Sequence, residues 1–261
     1  MSLSLLLTLA CIETGVNDDN DNQGSLNKDT AVEDTGDTGE VVIPGTKASA
    51  KVYANTSTGL YEIDPETAQP TYVGDFHTAA GEPIDGMVDI AIDLKGRIYG
   101  GTYDGLFTIN SETAEVELVC ATSTAMFALA FSSDGRLFAG GREGINLLDI
   151  ETCRTEWLIG DEQYTTSGDI VGLPDGNLYW TVFGDDGDDL VLLDPDSGAT
   201  KWLGSTGVEK LFGVGYDNDT LYGFSSDGEI VRINPKTGAG QIRDRSDSLQ
   251  WWGATTNPVR W

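Results

Sequence analysis

Carboxylates are the most abundant groups in this sequence that could perform chemistry. The chain has 43 Asp and Glu residues against 15 Lys and Arg, and its single histidine is His77. A Ser-His-Asp site, a Cys-His site or a common zinc site would have to use that one side chain. No nucleophile motif or metal-ligand spacing accompanies it, so we expect His77 to be a loop residue and look for a site among the carboxylates.

Two acidic stretches could bind calcium. The run Asp185-Asp186-Gly187-Asp188-Asp189 brings four carboxylates together, and such charges repel unless a cation or solvent screens them. The run from Asp19 to Gly24 begins like a calcium loop, but Thr30 stands where a bidentate Glu would close it. A solvated loop is the alternative for the first run. Calcium is therefore the one cofactor considered, with Asp185, Asp186, Asp188 and Asp189 as its candidate ligands.

A sequence motif that occurs five times defines the strands that must position these carboxylates. Each copy is an apolar, alternating stretch followed by Asp or Asn and a tight turn, which is typical of a strand leading into a hairpin. Upstream copies of a second stretch, such as 127–138, predict a strand, an Asp-Gly turn and another strand. The equivalent aliphatic residues are Ile63, Ile109, Leu148, Leu193 and Ile233, at intervals of 46, 39, 45 and 40 residues. Repeats of this length built from short strands indicate a β-propeller with one blade per repeat.

The two ends of the repeat region complete one blade. Residues 51–73 supply three strands without an inner one, and residues 251–259 supply an inner strand without partners. Pairing them closes the ring and hides two sheet edges. We therefore predict an all-β protein whose residues 50–261 form a five-bladed β-propeller of four-stranded antiparallel blades, closed by its C-terminal inner strand.

The register of the repeats makes Asp89 and Asp169 equivalent. Both begin an inner strand, where the other blades have Ala128, Gly213 and Gly253. Two carboxylates at the upper mouth of the channel could serve as the acid and base of a glycoside hydrolase. Certain glycosidases are similar in blade number, which is an analogy of fold alone. We favour a structural role, in which each carboxylate caps its strand or accepts a backbone amide, because no third carboxylate is equivalent.

Variation among the repeats concentrates on one face of the propeller. The loops from second to third strand and those from blade to blade share this loop-rich face, where loops can carry recognition. Carboxylates together with Tyr and Trp suit a sugar or a basic peptide. The candidate ligand-binding residues are Asp75, His77, Asp85, Tyr103, Arg142, Tyr164, Trp251 and Trp252. For the two tryptophans, packing at the ring closure is the alternative.

The repeats also resemble known families. The stretch 194–202, Asp-Pro-Asp-Ser-Gly-Ala-Thr-Lys-Trp, resembles the quinoprotein-type propeller repeat, and 149–157 matches it in part. The Asp-Gly-Arg-Leu stretch at 134–137 is similar to the NHL and related repeats of bacterial surface propellers. The matching motifs are structural, and no quinone site accompanies them. The resemblance therefore implies a propeller of the bacterial envelope with a binding or scaffolding role.

The N-terminus predicts export from the cell. Residues 1–10 form an apolar, signal-like segment too short to span a bilayer, and Leu9-Ala10-Cys11 resembles a bacterial lipobox with Cys11 as the lipidated residue. A cleaved ordinary signal is the alternative. Residues 11–49 are acidic, rich in Gly, Asp and Thr, and free of aromatic residues, which predicts a disordered tether. We expect a secreted protein or an outer-membrane-anchored lipoprotein.

The charge of the chain limits the classes of partner that it can bind. The formal net charge is −28, and residues 50–261, with 34 acidic and 13 basic side chains, account for −21 of it. Such a domain repels nucleic acid and anionic lipid. We therefore predict a non-catalytic module that recognises a protein or glycan at the cell surface and meets the membrane only through its N-terminal anchor. The alternatives are a glycoside-active enzyme that uses Asp89 and Asp169, and a calcium-stabilised structural propeller.

The two cysteines of the repeats are expected to be free thiols. Cys120 ends the fourth strand of one blade, and Cys153 lies in the turn between the third and fourth strands of the next. These are opposite ends of adjacent outer strands, about 20 Å apart at about 3.3 Å per residue. A disulfide requires Cα atoms within about 7 Å.

Overall fold

Five sheets of antiparallel strands form the blades of a β-propeller. The computed structural model describes residue 48 and residues 50–122, 126–141, 144–159 and 164–261. Within these ranges every sheet contains a run of four antiparallel strands, which confirms the predicted fold. The signal-like segment, Cys11 and all of the tether except Ala48 lie outside the described residues. No helix in the described ranges is long and apolar enough to cross a membrane.

The strands follow one another outward within each blade, and the five inner strands contact each other around the axis. Blade 1 contains β1 (Val52–Asn55), β2 (Gly59–Asp64) and β3 (Gln69–Asp75). A short strand β4 (His77–Thr78) precedes blade 2, which contains β5 (Asp89–Ile92), β6 (Ile98–Gly101), β7 (Gly105–Ile109) and β8 (Glu115–Ala121). Blade 3 contains β9 (Ala128–Phe131), β10 (Leu137–Gly141), β11 (Gly144–Leu148) and β12 (Thr155–Ile159). Blade 4 contains β13 (Thr166–Gly172), β14 (Leu178–Val182), β15 (Asp189–Leu193) and β16 (Thr200–Ser205). Blade 5 contains β17 (Leu211–Asp217), β18 (Thr220–Ser225), β19 (Glu229–Ile233) and β20 (Gly240–Arg245).

The C-terminal strand closes the ring as the sequence predicts. Strand β21 (Gly253–Thr256) pairs antiparallel with β1, so it is the inner strand of blade 1. The buried side chain of Asn257 connects the two ends of the propeller. It donates hydrogen bonds to the carbonyls of Ala48 and Ala50 at 3.0 and 2.9 Å. A 3-10 turn over Pro258–Arg260 follows.

The hydrophobic core consists of five clusters, each formed by two neighbouring blades. Successive side chains of an inner strand point to opposite faces of its blade. In β5, Ile90 and Ile92 accordingly pack toward blade 1, whereas Ala91 packs toward blade 3. The blades are therefore held together by side-chain packing between sheets rather than by a continuous backbone ladder.

Cys120 and Cys153 form a disulfide between blades 2 and 3, with their Cα atoms 5.9 Å apart. The prediction of free thiols is therefore wrong. It treated the outer strands as parallel to the inner ones, whereas each strand of a blade is rotated relative to the one before it. The end of an outer strand consequently reaches the turn between the third and fourth strands of the next blade.

The same contact recurs elsewhere in the ring without a disulfide. Gly74 and Gly204 occupy the position of Cys120, each opposite an aliphatic residue at the bulge of the outer strand pair. A Cβ atom on Gly74 would approach the carbonyl oxygen of Thr113, and one on Gly204 would strike the backbone of Thr237, both in the next blade's turn. The cysteines thus replace a close backbone approach by a covalent bond.

One large apolar side chain on every outer strand is about half exposed. These residues are Tyr72, Leu118, Trp157, Trp202 and Ile242, with 51–55% of each exposed. They stand at the downstream aromatic position of the quinoprotein-like stretch. Because they face solvent, they contribute little to the packing between blades.

Candidate functional site

Asp89 joins two inner strands at the start of blade 2. Its side chain lies on the same face of β5 as Ala91, toward blade 3. One carboxylate oxygen accepts the amide of Ile90 at 2.8 Å, and the other accepts the amide of Leu129 at 2.6 Å. Leu129 belongs to the inner strand of blade 3, so Asp89 binds an amide at the strand edge that faces the axis.

Asp169 makes the equivalent connection from blade 4 to blade 5. Its carboxylate accepts the amide of Ile170 at 2.6 Å and that of Val214, on the next inner strand, at 2.5 Å. The hydroxyl of Thr181 accepts the backbone amide of Asp169 at 3.0 Å. Both aspartates are completely buried.

The carboxyl groups of Asp89 and Asp169 lie close enough to affect each other's pKa. Burial raises the pKa of Asp89 well above its ordinary value, and the adjacent Asp169 carboxylate raises it further. Burial raises the pKa of Asp169 as well, although the amides that it binds act in the opposite direction. The pair therefore retains a proton at a pH where exposed carboxyl groups are ionised.

Residues with no room for a side chain surround this acid pair. A Cβ atom on Gly253 would lie 2.7 Å from the Cα of Asp89 and 2.6 Å from Oδ1 of Asn55. Asn55 is fully buried and donates to the carbonyls of Thr56 and Met87, but its Oδ1 has no partner among the described residues. The acid pair and this amide oxygen fill the axis at the level of the first inner-strand residues.

A ring of residues covers the acid pair on the loop-rich face. It is formed by the residues that immediately precede Asp89, Asp169 and their equivalents Ala128, Gly213 and Gly253. These residues are Trp252, Val88, Phe127, Gly168 and Phe212. All five line one cavity, together with Tyr103 and Phe183 from the loops between second and third strands and with 165–167. We call this cavity, with its volume of about 560 Å³, the aromatic cup.

The aromatic cup is open to solvent and rich in aromatic surface. Tyr103 and Phe183 are 53% and 62% exposed, and Tyr103 packs edge-to-face against Phe127 with ring centroids 6.1 Å apart. No Asp, Glu, Lys, Arg or His is among the described residues that line the cavity. Its size is within the range of sites that bind small ligands or single residues of larger ones.

Two buried hydroxyls of the cup lack a partner. Thr166 and Ser167, at the start of β13, are 9% and 8% exposed, and neither Oγ1 of Thr166 nor Oγ of Ser167 has a hydrogen bond within the described part of the chain. Buried polar atoms are nearly always satisfied, so such an atom in the lining of a cavity is a natural contact for a ligand.

Two of the predicted ligand-binding residues line the cup, and two others pack elsewhere. Tyr103 and Trp252 contribute directly to the cavity. Trp251 is fully buried between Tyr61 and Phe224, with centroids 5.3 and 5.7 Å away, so the packing alternative holds for it.

The remaining predicted residues do not meet at the mouth. Tyr164 packs against Trp180. Strand β4 pairs in parallel with the beginning of β8, which places His77 on the outer edge of blade 2. Burial and the nearby Asp75 raise the pKa of the half-exposed Tyr72, and Asp85 is exposed. Arg142 lies outside the described residues.

The four carboxylates of 185–189 separate into different environments. Asp188 is buried and accepts the amide of Leu211 at 2.6 Å, and burial raises its pKa. Asp189 accepts the indole N–H of Trp202 at 2.9 Å, whereas Asp185 and Asp186 are exposed. The described residues contain no group of three or more His, Cys, Asp or Glu side chains arranged to hold a metal.

Sequence reasoning missed Phe127 and Phe212 as site residues. Both stand one position before the residues that were compared between repeats. Moving the comparison back by one residue gives Trp252, Val88, Phe127, Gly168 and Phe212. Three aromatic residues at one ring position would have indicated a shared cavity.

A larger depression of about 800 Å³ lies on the opposite face, between blades 4 and 5. It is lined by turn residues whose polar groups bind one another. Tyr179 donates to Asp175 at 3.0 Å, and Tyr216 donates to Asp219 at 3.3 Å. With these groups already paired, the depression is a less suitable recognition site than the aromatic cup.

No protein-family model and no curated protein sequence matches the chain. Solved structures do match it. A chain in the crystal structure of a nidogen/laminin complex is 12% identical, with a TM-score of 0.55 over 80% of this chain and 98% of that one. TolB from Acinetobacter baumannii is 18% identical, with a TM-score of 0.47 over 77% and 53% of the two chains. A gluconolactonase from Xanthomonas campestris is 14% identical, with a TM-score of 0.46 over 77% and 74%.

The similarity is one of fold. Propellers serve both as binding proteins and as enzymes, so the site must decide the function.

Proposed function

We propose that this protein is a non-catalytic binding module that recognises part of a protein or glycan in its aromatic cup. The composition of the cup is the observation that carries the proposal. Tyr103, Phe183 and Trp252 offer apolar and aromatic surface around a cavity of ligand size, without a charged group or nucleophile in the described lining. Aromatic side chains of this kind anchor sugars and protein side chains.

The acid pair supports binding rather than catalysis. A glycoside hydrolase needs one carboxyl group that protonates the leaving oxygen and another that reaches the sugar or a water. Asp89 and Asp169 are buried, and each already accepts an amide of a neighbouring inner strand. This arrangement is suited to holding the inner strands together.

The site of action that we propose is the surface of a bacterial cell, as a secreted protein or an outer-membrane-anchored lipoprotein. The disulfide between Cys120 and Cys153 supports this, since such bonds persist in oxidising compartments. The signal-like residues 1–10 and Cys11 support it from the sequence.

Binding of the full chain to glycan and peptide arrays tests the proposal. We expect a ligand whose binding is lost in Phe183→Ala and Tyr103→Ala, because both side chains line the cup and are more than half exposed. Trp157→Ala is the matched control, since Trp157 is similarly exposed on the outer strand β12. Binding that both cup variants retain, or no binding at all, would contradict the proposal.

A further inference from the structure

The chemistry of the aromatic cup favours a cationic ligand. The faces of aromatic rings carry negative electrostatic potential, so they attract cations and repel anions. Five of the ten described residues that line the cup are aromatic. An ammonium group with alkyl substituents gains both this attraction and apolar contact.

Acidic groups surround the cup on several sides. Asp104 follows Tyr103 in its loop, and Asp185 and Asp186 follow Phe183, all exposed to solvent. Asp89 and Asp169 directly follow Val88 and Gly168, two of the five residues whose ring forms the floor of the aromatic cup. Within a domain of net charge −21, these positions raise the local concentration of cations.

The base closest in sequence to the lining is already neutralised. Lys210, two residues before Phe212, forms an ion pair with both carboxylate oxygens of Asp227 at 3.1 Å. It therefore adds little positive potential to the cup.

Polar groups in the lining are too few to recognise a sugar ring by hydrogen bonding alone. The described side chains that can hydrogen-bond there are hydroxyls, such as that of Thr166, together with the Tyr103 phenol and the Trp252 indole. Side-chain carboxylates and amides can distinguish the many hydroxyls of a sugar by hydrogen bonding. None is present among the described residues that line the cup. The two unpaired hydroxyls, of Thr166 and Ser167, suit a ligand with a short polar arm beside its cationic head.

We propose that the aromatic cup binds a trimethylammonium group. The group could arrive as a small molecule such as choline or as a trimethylated lysine of a peptide, and both present the same cationic head. This inference rests on the proposed function, because it requires the cup to be the ligand site.

Titration of the full chain with choline and with its neutral analogue tests the inference. The analogue carries a tert-butyl group in place of trimethylammonium, so shape is kept and charge is removed. By calorimetry we expect choline to bind about tenfold more tightly than the analogue. We expect Phe183→Ala and Tyr103→Ala each to weaken choline binding by about fivefold or more, and Trp157→Ala to leave it unchanged. A trimethyllysine peptide and its unmodified form provide the second arm.

The outcomes separate this inference from the proposed function. Choline and its neutral analogue could bind equally well, with binding lost in Phe183→Ala. This result would show that the cup is an apolar ligand site and would overturn only the inference of a cationic ligand. The cationic ligand alone would also be overturned if neither choline nor the trimethyllysine peptide binds while an array ligand does, and the binding of that array ligand depends on Phe183. If no ligand depends on Phe183 or Tyr103, both proposals fall. Tighter binding of the methylated peptide than of choline would identify a protein as the source of the group.

Discussion

The carboxyl groups of Asp89 and Asp169 interact electrostatically at the propeller axis, although their blades are separated by a third. Each carboxyl group binds an amide of its own inner strand and an amide of the next blade's inner strand. The pair therefore connects four of the five inner strands. Hydrogen bonds between buried groups of this kind are costly to leave unmade, so the pair should govern stability.

Stability should fall as the pH rises above about 4. The folded-state pKa values of Asp89 and Asp169 lie above their ordinary value, so the folded protein binds more protons than the unfolded chain in that range. The free energy of unfolding should decrease by up to about 1.4 kcal/mol per pH unit for each proton involved, until the pH passes the folded pKa values. Urea unfolding at a series of pH values measures this.

The variant Asp89→Asn isolates the source of that pH dependence. An amide cannot ionise, so the slope should become smaller, while the loss of one amide acceptor costs about 1–2 kcal/mol at low pH. The exposed Asp185→Asn serves as control and should follow the wild type. Identical slopes in Asp89→Asn and wild type would show that the axial pair is not responsible.

Gly253→Ala should destabilise the protein by about 1–3 kcal/mol, because its methyl group would press on Asp89 and on the side chain of Asn55. Thermal and urea unfolding provide the measurement. Gly141→Ala is the matched control, since the nearest atom to an added Cβ there is the carbonyl oxygen of Gly144 at 4.0 Å. Equal melting temperatures for the two variants would mean that the axis tolerates a side chain.

Reduction of the disulfide should lower the free energy of unfolding by about 3–4 kcal/mol, because the bond closes a loop between residues 33 apart in sequence. The double variant Cys120→Ser, Cys153→Ser should show the same loss and no further response to reductant. Thiol titration of the unreduced, denatured protein gives an independent check. Three free thiols, the total number of cysteines in the chain, would refute the bond.

Asn257→Ala should cost about 2–3 kcal/mol, since it removes two donors that bind buried carbonyls of residues 48 and 50. Asn234→Ala is a suitable control, because that side chain accepts only the nearby amide of Lys236 in an exposed turn. We expect the control to lose less than about 1 kcal/mol. A comparable loss in both variants would mean that Asn257 does not fasten the ends of the chain.

Local chemistry explains why the fold could be predicted. The turn after each third strand needs a residue with positive φ, and Gly198 and Gly238 supply it at +70° and +72°. Cys153 adopts +51° at the same position, so the repeat register holds even where the residue is unfavourable. The equivalence of Asp89 and Asp169 follows from this register.

Properties that depend on sheet twist could not be obtained in the same way. The disulfide partner of Cys120 and the outer position of His77 both depend on how far the outer strand rotates away from the inner one. No residue in the repeat encodes that angle by itself. The ring of Phe127, Phe212 and Trp252 was overlooked for a simpler reason, since the search for a site compared only the residue that follows each of them.

Blade 1 contains strands from both ends of the propeller sequence, so it can be completed only after the other blades have been synthesised. Strand β21 and Asn257 follow all the other described strands in the chain, so the ribosome adds them after those strands. Until they emerge, the edge of β1 has no partner, and the inner strands of blades 2 and 5 have no neighbour between them. The nascent chain can assemble individual blades, but it can complete the ring only after β21 has emerged from the ribosome.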